Sequence, residues 1–474
     1  MRREPVSEPD SSQDWSIAPA ASIAAAVADG SVSARTVVAA ALDRIGRIDP
    51  AVNAFTDVLA ERALAGADRI DAARARGAPL GPLAGVPFAA KNLYDIAGLP
   101  TRAGSRINRE RAPAERDATL IARMEAAGAI LVGALNMGEY AYDFTGENIH
   151  DGNTRNPHDL GRMSGGSSGG SGGAVAAGLV PLALASDTNG SIRVPSAFCG
   201  CFGLKPTYGR LSRAGSFPFV GSLDHLGPMA RSAGDLALAY DALQGPDPAD
   251  PVATDRAPEP ARPGLDAGVA DLRIAVAGGY FARGGDADAA VAAVAAALSC
   301  TRTVEIPEAA RARAAAYLIT AAEGAALHLD RLRERAAEFD PAVRDRLIAG
   351  AMLPAPFVER AQRFRRWYRA AVLDLFREVD IILAPCTPCR APASGQATFV
   401  LDGVALPVRA NVGLFTQPIS FIGLPVVAAP VRPDAGLPLG VQIIAAPWRE
   451  DLALRVARHL ERAGVARAPV ATLA

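Results

Sequence analysis

Short apolar segments alternate with amphipathic segments along most of the chain. Apolar runs that predict buried strands lie at 83–90, 130–132, 180–185, 272–277, 303–306, 379–383, 426–430 and 441–445. Apolar positions three and four residues apart predict helices over 16–76, 118–127, 173–178, 286–298, 311–377 and 451–464. Strands that alternate with helices in this way predict an α/β fold, with helices on both faces of a sheet.

The ends and the longest polar segment set the expected domain organisation. Residues 1–15 are polar and charged and predict a disordered lead without the apolar stretch of a signal peptide. Residues 244–263 are rich in Pro, Asp and Ala and predict a surface loop. We therefore expect one large domain over 16–474.

The most unusual segment is a block of ten glycines and serines at 164–173. It leads straight into a small-residue helix and an apolar strand, so it does not have the setting of a linker. Glycines let backbone amides approach a ligand closely. A phosphate cradle and a nucleophile site are both compatible with this, but the Gly-Lys-Ser/Thr ending of a P-loop is missing.

A second small-residue turn, at 186–193, presents Ser191 directly after a predicted strand. A serine beside free turn amides suits an acyl acceptor with an oxyanion hole. The chain has five histidines, so a Ser-His-Asp triad has few candidate bases. The string Gly-x-Ser-x-Gly occurs at 165–169 and 169–173, but a nucleophile elbow needs a strand before it, and polar residues 153–163 predict none.

Composition changes the choice of base. Of 49 basic residues only Lys91 and Lys205 are lysines, and guanidinium cannot exchange a proton near neutral pH as a buried amine can. Lys91 follows the predicted strand 83–90, which makes it the preferred base, held neutral by hydroxyls rather than paired with a carboxylate. For Lys205 we expect a structural role in its Lys-Pro-Thr turn.

The remaining composition excludes several classes of protein. A formal net charge of −1 argues against binding nucleic acid or a membrane surface, and no apolar run reaches the length of a membrane span. Five sparse cysteines predict no disulfide framework and favour the cytoplasm. The pair Cys386 and Cys389 is a single C-x-x-C, for which we expect a structural role, so no metal and no cofactor are predicted.

Four segments, 85–92, 165–170, 187–193 and 203–210, resemble the amidase signature family in sequence, order and spacing, and the likeness extends from about residue 16 to the end. It implies one domain with a central mixed, mostly parallel sheet and a Ser-Ser-Lys triad that hydrolyses carboxamides. By position Ser191 is the nucleophile, Ser167 the bridging serine and Lys91 the base. The implied oxyanion amides are those of Thr188, Asn189, Gly190 and Ser191. A cis peptide between Gly166 and Ser167 is also implied.

The substrate is less well determined, and three alternatives stay open. Residues 136–152 look like the carboxybiuret hydrolases of cyanuric acid breakdown. The glutaminase subunit of aminoacyl-tRNA amidotransferase shares the core but usually has an Asp in the segment matching 411–416, where this chain has Gly413. A broad amidase of aliphatic or aryl amides is the third, and a catalytically silent binding subunit is the non-enzymatic alternative.

Candidate substrate contacts are equally open from sequence. Tyr140, Tyr142 and Phe144 could line a pocket or belong to the core, and Arg346 could grip a carboxylate or lie in solvent on a helix. The resemblance also admits a homodimer or a small helical accessory subunit beside the small-molecule amide. Asn189 stands where many members have Gly, which leaves its role undecided.

Overall fold

A computed structural model of the chain describes residues 13–434 and 436–473. The first twelve residues of the expected disordered lead lie outside the described residues. Within the described part, no helix is long and apolar enough to cross a membrane.

The chain forms helices and strands in alternation, as the apolar pattern predicts. The helices are α1 Ala20–Asp29, α2 Ala34–Val52, α3 Ala60–Ala75, α4 Thr119–Ala126, α5 Gly169–Ala176, α6 Arg193–Cys199, α7 Ala233–Leu243, α8 Gly285–Ala297, α9 Ala309–Arg335, α10 Pro341–Ala351, α11 Ala355–Leu375, α12 Val408–Asn411, α13 Gln417–Ser420 and α14 Glu450–Arg462. The strands are β1 Phe55–Val58, β2 Pro87–Lys91, β3 Ile130–Leu135, β4 Arg155–Asn156, β5 Asp159–Met163, β6 Leu182–Asp187, β7 Phe202–Lys205, β8 His225–Ala230, β9 Ile274–Ala277, β10 Thr303–Val304, β11 Ile381–Pro385, β12 Thr398–Leu401, β13 Val404–Pro407, β14 Val426–Val431 and β15 Leu439–Ala445. Short 3₁₀ helices lie at Ile107–Glu110, Glu139–Ala141, Arg262–Gly264, Gly279–Phe281 and Ala336–Glu338.

Eleven strands form one sheet in the order β1-β3-β2-β6-β8-β7-β14-β15-β11-β9-β10. Two parallel blocks, β3-β2-β6 and β11-β9-β10, flank an antiparallel centre. The expected mixed sheet is confirmed, and parallel pairs make up four of its ten neighbouring pairs. Every residue of β2, β3, β6, β7, β8, β11, β14 and β15 is buried, so helices cover both faces.

The region 311–377, which was expected to be mostly helical, consists of three successive helices, α9, α10 and α11. Asp340 caps α10 by accepting from the Ala342 amide, and Pro341 occupies its first position. Pro354 lies directly before α11. Because proline has no N–H, it cannot continue the helical hydrogen bonds of the preceding residues. Both α10 and α11 pack against α9, and α9 and α10 carry several residues of the site below.

Three expectations at the sequence level need correction. The region 16–76 is not wholly helical, because β1 interrupts it to pair with β3. The strands β7 and β8 lie in stretches for which no strand was predicted, and tertiary pairing selects them. A strand does precede the Gly/Ser block: β5 runs directly into it and pairs with β4 in a small hairpin outside the eleven-stranded sheet.

Candidate active site

Lys91 is the last residue of β2, in the middle of a parallel block between β3 and β6. Its side chain is fully buried. The amine donates to three hydroxyls: Ser167 Oγ at 2.7 Å, Ser168 Oγ at 2.9 Å and Ser186 Oγ at 2.9 Å. The strand end thus delivers a lysine into a cage of serines.

Burial lowers the pKa of Lys91 to about 7, and the charges of Asp187, Asp224 and Asp143 oppose this shift without reversing it. Among the described residues no carboxylate forms an ion pair with Lys91. A hydroxyl can also donate to the lone pair of a neutral amine, which a carboxylate cannot do. The fold therefore surrounds Lys91 with hydroxyls and lowers the pKa of its amine, which is the setting expected for a base.

The Gly/Ser block follows β5, contacts the Lys91 amine through Ser167 and Ser168, and continues into α5. The peptide between Gly166 and Ser167 is cis, which confirms that prediction. Gly170 admits no side chain, since a Cβ there would lie 2.5 Å from the carbonyl oxygen of Asn136. Ser171 Oγ donates to the Leu184 carbonyl at 3.2 Å, so the block is held against β6. The glycines therefore serve close packing around a buried site.

Ser191 lies on the turn between β6 and α6, and a buried ion pair closes that turn. Arg193 Nε donates to Asp187 Oδ2 at 2.9 Å, with both side chains inaccessible to solvent. The Ile192 amide also donates to Asp187 Oδ2 at 3.2 Å. The positive charge of Arg193 and its hydrogen bonds hold the pKa of the Asp187 carboxyl well below its usual range. Removing either partner would leave an uncompensated buried charge.

The turn leaves four consecutive amides free. Across the described residues, the N–H groups of Thr188, Asn189, Gly190 and Ser191 have no acceptor. Thr416 Oγ1 donates to the Asn189 carbonyl at 2.7 Å and so fixes the orientation of the peptide. Gly190 has φ 143°, and a Cβ there would lie 2.2 Å from Thr416 Oγ1. Free, oriented amides beside a serine can stabilise a developing oxyanion.

Of the two hydrogen bonds expected to link Lys91, Ser167 and Ser191, only the first is present among the described residues. Lys91 reaches Ser167, as expected. No hydrogen bond joins Ser191 Oγ to Ser167 Oγ or to another described group, although the two were expected to be within hydrogen-bond reach. The expected hydrogen bond between the hydroxyls of Ser167 and Ser191 is therefore not present among the described residues.

Ser191 opens into a cavity of about 170 Å³. The lining is formed by Ala141, Tyr142, Asp143, Phe144, Thr188, Asn189, Ser191, Phe219, Tyr317, Thr320, Ala342, Arg346, Pro407, Arg409, Ala410 and Gln417. Tyr142, Phe144 and Arg346 are thus brought together with the candidate nucleophile. Tyr140 is not: its ring packs in the core against His328, with ring centroids 4.0 Å apart. Of the two roles considered for Tyr140, the structure shows core packing, with the backbone in the left-handed region at φ 49°.

The two arginines of the cavity differ in their partners. Arg409 pairs with Asp143 and Glu147, each at 2.7 Å. Arg346 donates Nε to the Ala342 carbonyl and Nη2 to the Tyr142 carbonyl, and its guanidinium stacks 3.9 Å from the Tyr142 ring centroid. Within the described residues Arg346 forms no ion pair with a carboxylate. It is the cavity cation left available to an anionic ligand.

Several site residues have no signal in the sequence. Thr320 and Thr416, which hold Asn189, are single threonines without a pattern, and the roles of Ser168 and Ser186 in the cage of Lys91 appear only in the fold. The Gly/Ser block, which contains Ser168, and the turn at 186–193, which begins with Ser186, are the sequence signals that could have identified these two serines. Across the described residues no three His, Cys, Asp or Glu side chains lie together as a metal-ligand set.

Comparison with known proteins gives a consistent result. The family model described as Amidase matches residues 36–454. The AtzE chain of the 1-carboxybiuret hydrolase of Pseudomonas sp. strain ADP is 56% identical over 445 residues, which cover 93% of this chain and 97% of that protein. A glutamyl-tRNA(Gln) amidotransferase subunit of Thermus thermophilus is 39% identical over 93% of this chain and 96% of its own length. A solved chain, described as part of a vestigial protein complex that reveals the evolutionary origins of an s-triazine catabolic enzyme, superposes with a TM-score of 0.94 at 54% identity, covering 95% of this chain and 100% of that one.

Proposed function

The chain belongs to the amidase family and is an amidohydrolase, and from this premise we propose that Ser191, Ser167 and Lys91 are its catalytic triad. The observation that carries the proposal is the placement of Ser191 among four unpaired amides on the turn that follows β6, the strand whose Ser186 hydroxyl accepts from Lys91. The amidase residues identified by resemblance are the same ones.

The proposed reaction begins with Lys91 neutral. Its lone pair accepts the hydrogen of Ser167, whose oxygen takes the hydrogen of Ser191 once that hydroxyl has rotated towards it. Ser191 Oγ bonds to the amide carbon, and the carbonyl oxygen becomes an oxyanion among the amides of 188–191. The relay returns its proton to the leaving nitrogen, the C–N bond breaks, and ammonia or an amine departs. Water then cleaves the acyl-enzyme and restores the serine.

For the substrate we propose a small, carboxylate-bearing amide of the urea type, such as 1-carboxybiuret. The relative of 56% identity is named as part of a 1-carboxybiuret hydrolase. Arg346, half-buried and free of carboxylate partners in the described structure, offers an anion site in the same cavity as Ser191. Guanidinium recognises a carboxylate through paired donors.

A glutaminase function is the second candidate, because glutamyl-tRNA(Gln) amidotransferase subunits are 36–39% identical over more than nine-tenths of the chain. The cavity favours it less. A side chain at Gly413 would meet the Phe144 ring, with Cβ 2.5 Å from Cζ, so the acidic residue usual there in glutaminases has no space. Asp143, the carboxylate that lines the cavity, is already paired with Arg409. The ammonium group of glutamine would lack a partner.

The accessory subunit remains part of the proposal, because both named relatives are subunits. The thiols of all five cysteines are free, which supports action in the reducing cytoplasm. Co-expression with candidate small helical proteins from the same genome, followed by size-exclusion chromatography, tests whether the chain binds an accessory subunit. A chain that stays alone and fully active would argue against a required partner.

The function is tested by ammonia release from a panel of 1-carboxybiuret, biuret, glutamine, asparagine, and aliphatic and aryl amides, with Ser191→Ala as the blank. We expect the highest kcat/KM for 1-carboxybiuret. Arg346→Met should lower kcat/KM for this anionic substrate about 10- to 100-fold more than for uncharged biuret, since a charged hydrogen bond is lost. Arg344→Met, on the same helix but paired with Asp345, is the matched control. Glutamine as the best substrate would overturn the assignment.

A further inference from the structure

Arg346 is held in the cavity by three contacts, two of which come from Tyr142. Its Nε donates to the Ala342 carbonyl at 2.7 Å, one turn earlier on α10, and its Nη2 donates to the Tyr142 carbonyl. The centre of the guanidinium lies over the Tyr142 ring, 3.9 Å from the ring centroid. One residue thus contacts this cation through both its main chain and its ring.

These contacts leave part of the guanidinium available to a ligand. Of its five N–H groups, two on Nη1 and one on Nη2 have no acceptor among the described residues. Nη1 is not one of the solvent-inaccessible unpaired atoms of the described structure, so it keeps accessible surface, and Arg346 lines the cavity. Asp143, the carboxylate of the cavity wall, is bound to Arg409. Arg346 therefore presents an oriented and accessible donor group to the cavity.

The Tyr142 ring offsets the cost of keeping this cation out of water. Burial lowers the pKa of Arg346 and so disfavours its charged form. The face of an aromatic ring carries partial negative charge, and it attracts a desolvated cation more strongly than one in water. Because a ring takes up no N–H group, as a carboxylate would, it stabilises Arg346 without blocking a ligand.

The ring is itself fixed by its neighbours. Tyr142 is 6% exposed and packs against Phe219, with ring centroids 4.8 Å apart. Its segment is joined to the start of α10, since Glu139 Oε2 accepts from the Asp340 amide at 2.8 Å. The Tyr142 hydroxyl is buried without a hydrogen bond in the described structure and lies out of reach of a ligand. The ring and the carbonyl, rather than the hydroxyl, are therefore the groups of Tyr142 that act on Arg346.

We infer that Tyr142 is the positioning residue of the anion site: its ring and carbonyl orient Arg346 so that the remaining N–H groups receive the substrate carboxylate. An arginine that is oriented before the ligand arrives loses less conformational freedom on binding, so removing its support weakens binding of the anion. The inference rests on the proposed function, because that function places the substrate carboxylate at Arg346.

The first test measures kcat and KM for 1-carboxybiuret in full-length variants at position 142. Tyr142→Leu should raise KM about 5- to 30-fold and leave kcat within about threefold, since the lost support affects the bound ground state and the transition state alike. Tyr142→Phe keeps the ring and should stay within about threefold of wild type in both constants. An unchanged KM in Tyr142→Leu, an equal rise in Tyr142→Phe, or a loss confined to kcat would overturn the inference.

A double-mutant cycle shows whether Tyr142 acts through Arg346. In the Arg346→Met background, Tyr142→Leu should lower kcat/KM by no more than about threefold, because the group that it supports is already gone. Phe144→Leu is the matched control: Phe144 lines the same cavity, and among the described residues no arginine lies over its ring. Its effect should be equal in both backgrounds. A full effect of Tyr142→Leu in the Arg346→Met protein would overturn the inference.

Tyr142→pentafluorophenylalanine separates the charge of the ring from its shape, and it keeps the inference testable if Tyr142→Leu does not fold. Fluorination reverses the charge on the ring face, so KM should be about fivefold or more above that of Tyr142→Phe. Equal values would overturn the inference. A cooperative thermal transition shows that each variant is folded. Failure of the proposed function is seen separately, as no turnover of 1-carboxybiuret by wild-type protein or an unchanged KM in Arg346→Met, and the inference then falls with it.

Discussion

The only two lysines of the chain end two strands of the same sheet, and their surroundings differ in one respect. Both side chains are fully buried, and burial lowers the pKa of each to about 7. Lys91 contacts three serine hydroxyls. Lys205 instead donates to the main-chain carbonyls of Pro206 and Leu424.

That difference separates a candidate base from a lysine with a structural role. A carbonyl oxygen can only accept, so the lone pair of a neutral Lys205 finds no donor among its hydrogen-bond partners. A hydroxyl can accept and donate, so a neutral Lys91 can take a hydrogen from Ser167. A lowered pKa by itself is therefore a weak sign of catalysis, and the donor capacity of the neighbours is the stronger one.

The largest expected effect on activity is at Ser191, the nucleophile in the proposed relay that begins at Lys91. Ser191→Ala should lower kcat at least about 10⁴-fold, because the atom that forms the acyl bond is gone. Ammonia release measures the loss, and a serine-directed fluorophosphonate should no longer label the protein. Labelling of Ser167 in this variant would exchange the proposed roles of the two serines.

Lys91→Arg should lower kcat/KM about 10²- to 10⁴-fold, since a guanidinium cannot accept the proton of Ser167 near neutral pH. The matched pair Lys91→Met and Lys205→Met then contrasts the two sites with one substitution. We expect the first to be as inactive as Lys91→Arg and the second to keep kcat/KM within about threefold of wild type. Activity above about a tenth in Lys91→Arg would remove Lys91 from the mechanism.

The pH profile sharpens the same contrast. The base acts when neutral, so kcat/KM should fall about tenfold per pH unit below pH 7 and level off above it, following the pKa of Lys91 at about 7. Lys205→Met should keep this acidic limb unchanged. If Lys205→Met shifts this acidic limb, the titration seen in kcat/KM does not belong to Lys91.

The smallest expected effect concerns stability. The pKa of Lys205 is about 7 in the folded protein and near 10.4 when unfolded, so the unfolded chain binds more protons between these values and the contribution to stability rises with pH. Lys205→Met removes this increase in the free energy of unfolding with pH, and it leaves the carbonyls of Pro206 and Leu424 without this donor. It should therefore destabilise by about 1–3 kcal/mol near pH 9 and by less near pH 7, as measured by urea unfolding. A larger loss at pH 7 would contradict a neutral Lys205.

Local patterns along the chain were sufficient for much of the fold. The strand ending at Lys91 and the terminal helix α14 follow from apolar spacing alone. The region 16–76 shows the limit, because β1 is a strand only by pairing with β3. Pairing energy from a distant strand overrides local preference, and no local pattern records it.

The sequence by itself determined the chemistry that the molecule carries: a rare lysine at a strand end, two serines on glycine-rich turns, and a turn of small residues. The tertiary structure decided which groups meet. It gave Lys91 its hydroxyl cage, sent Tyr140 into the core, and left Arg346 and the Asn189 side-chain oxygen without a carboxylate or donor partner in the described structure. Residue type sets what an atom can donate or accept, but burial and partners depend on segments that are far apart in the chain and are brought together only by packing.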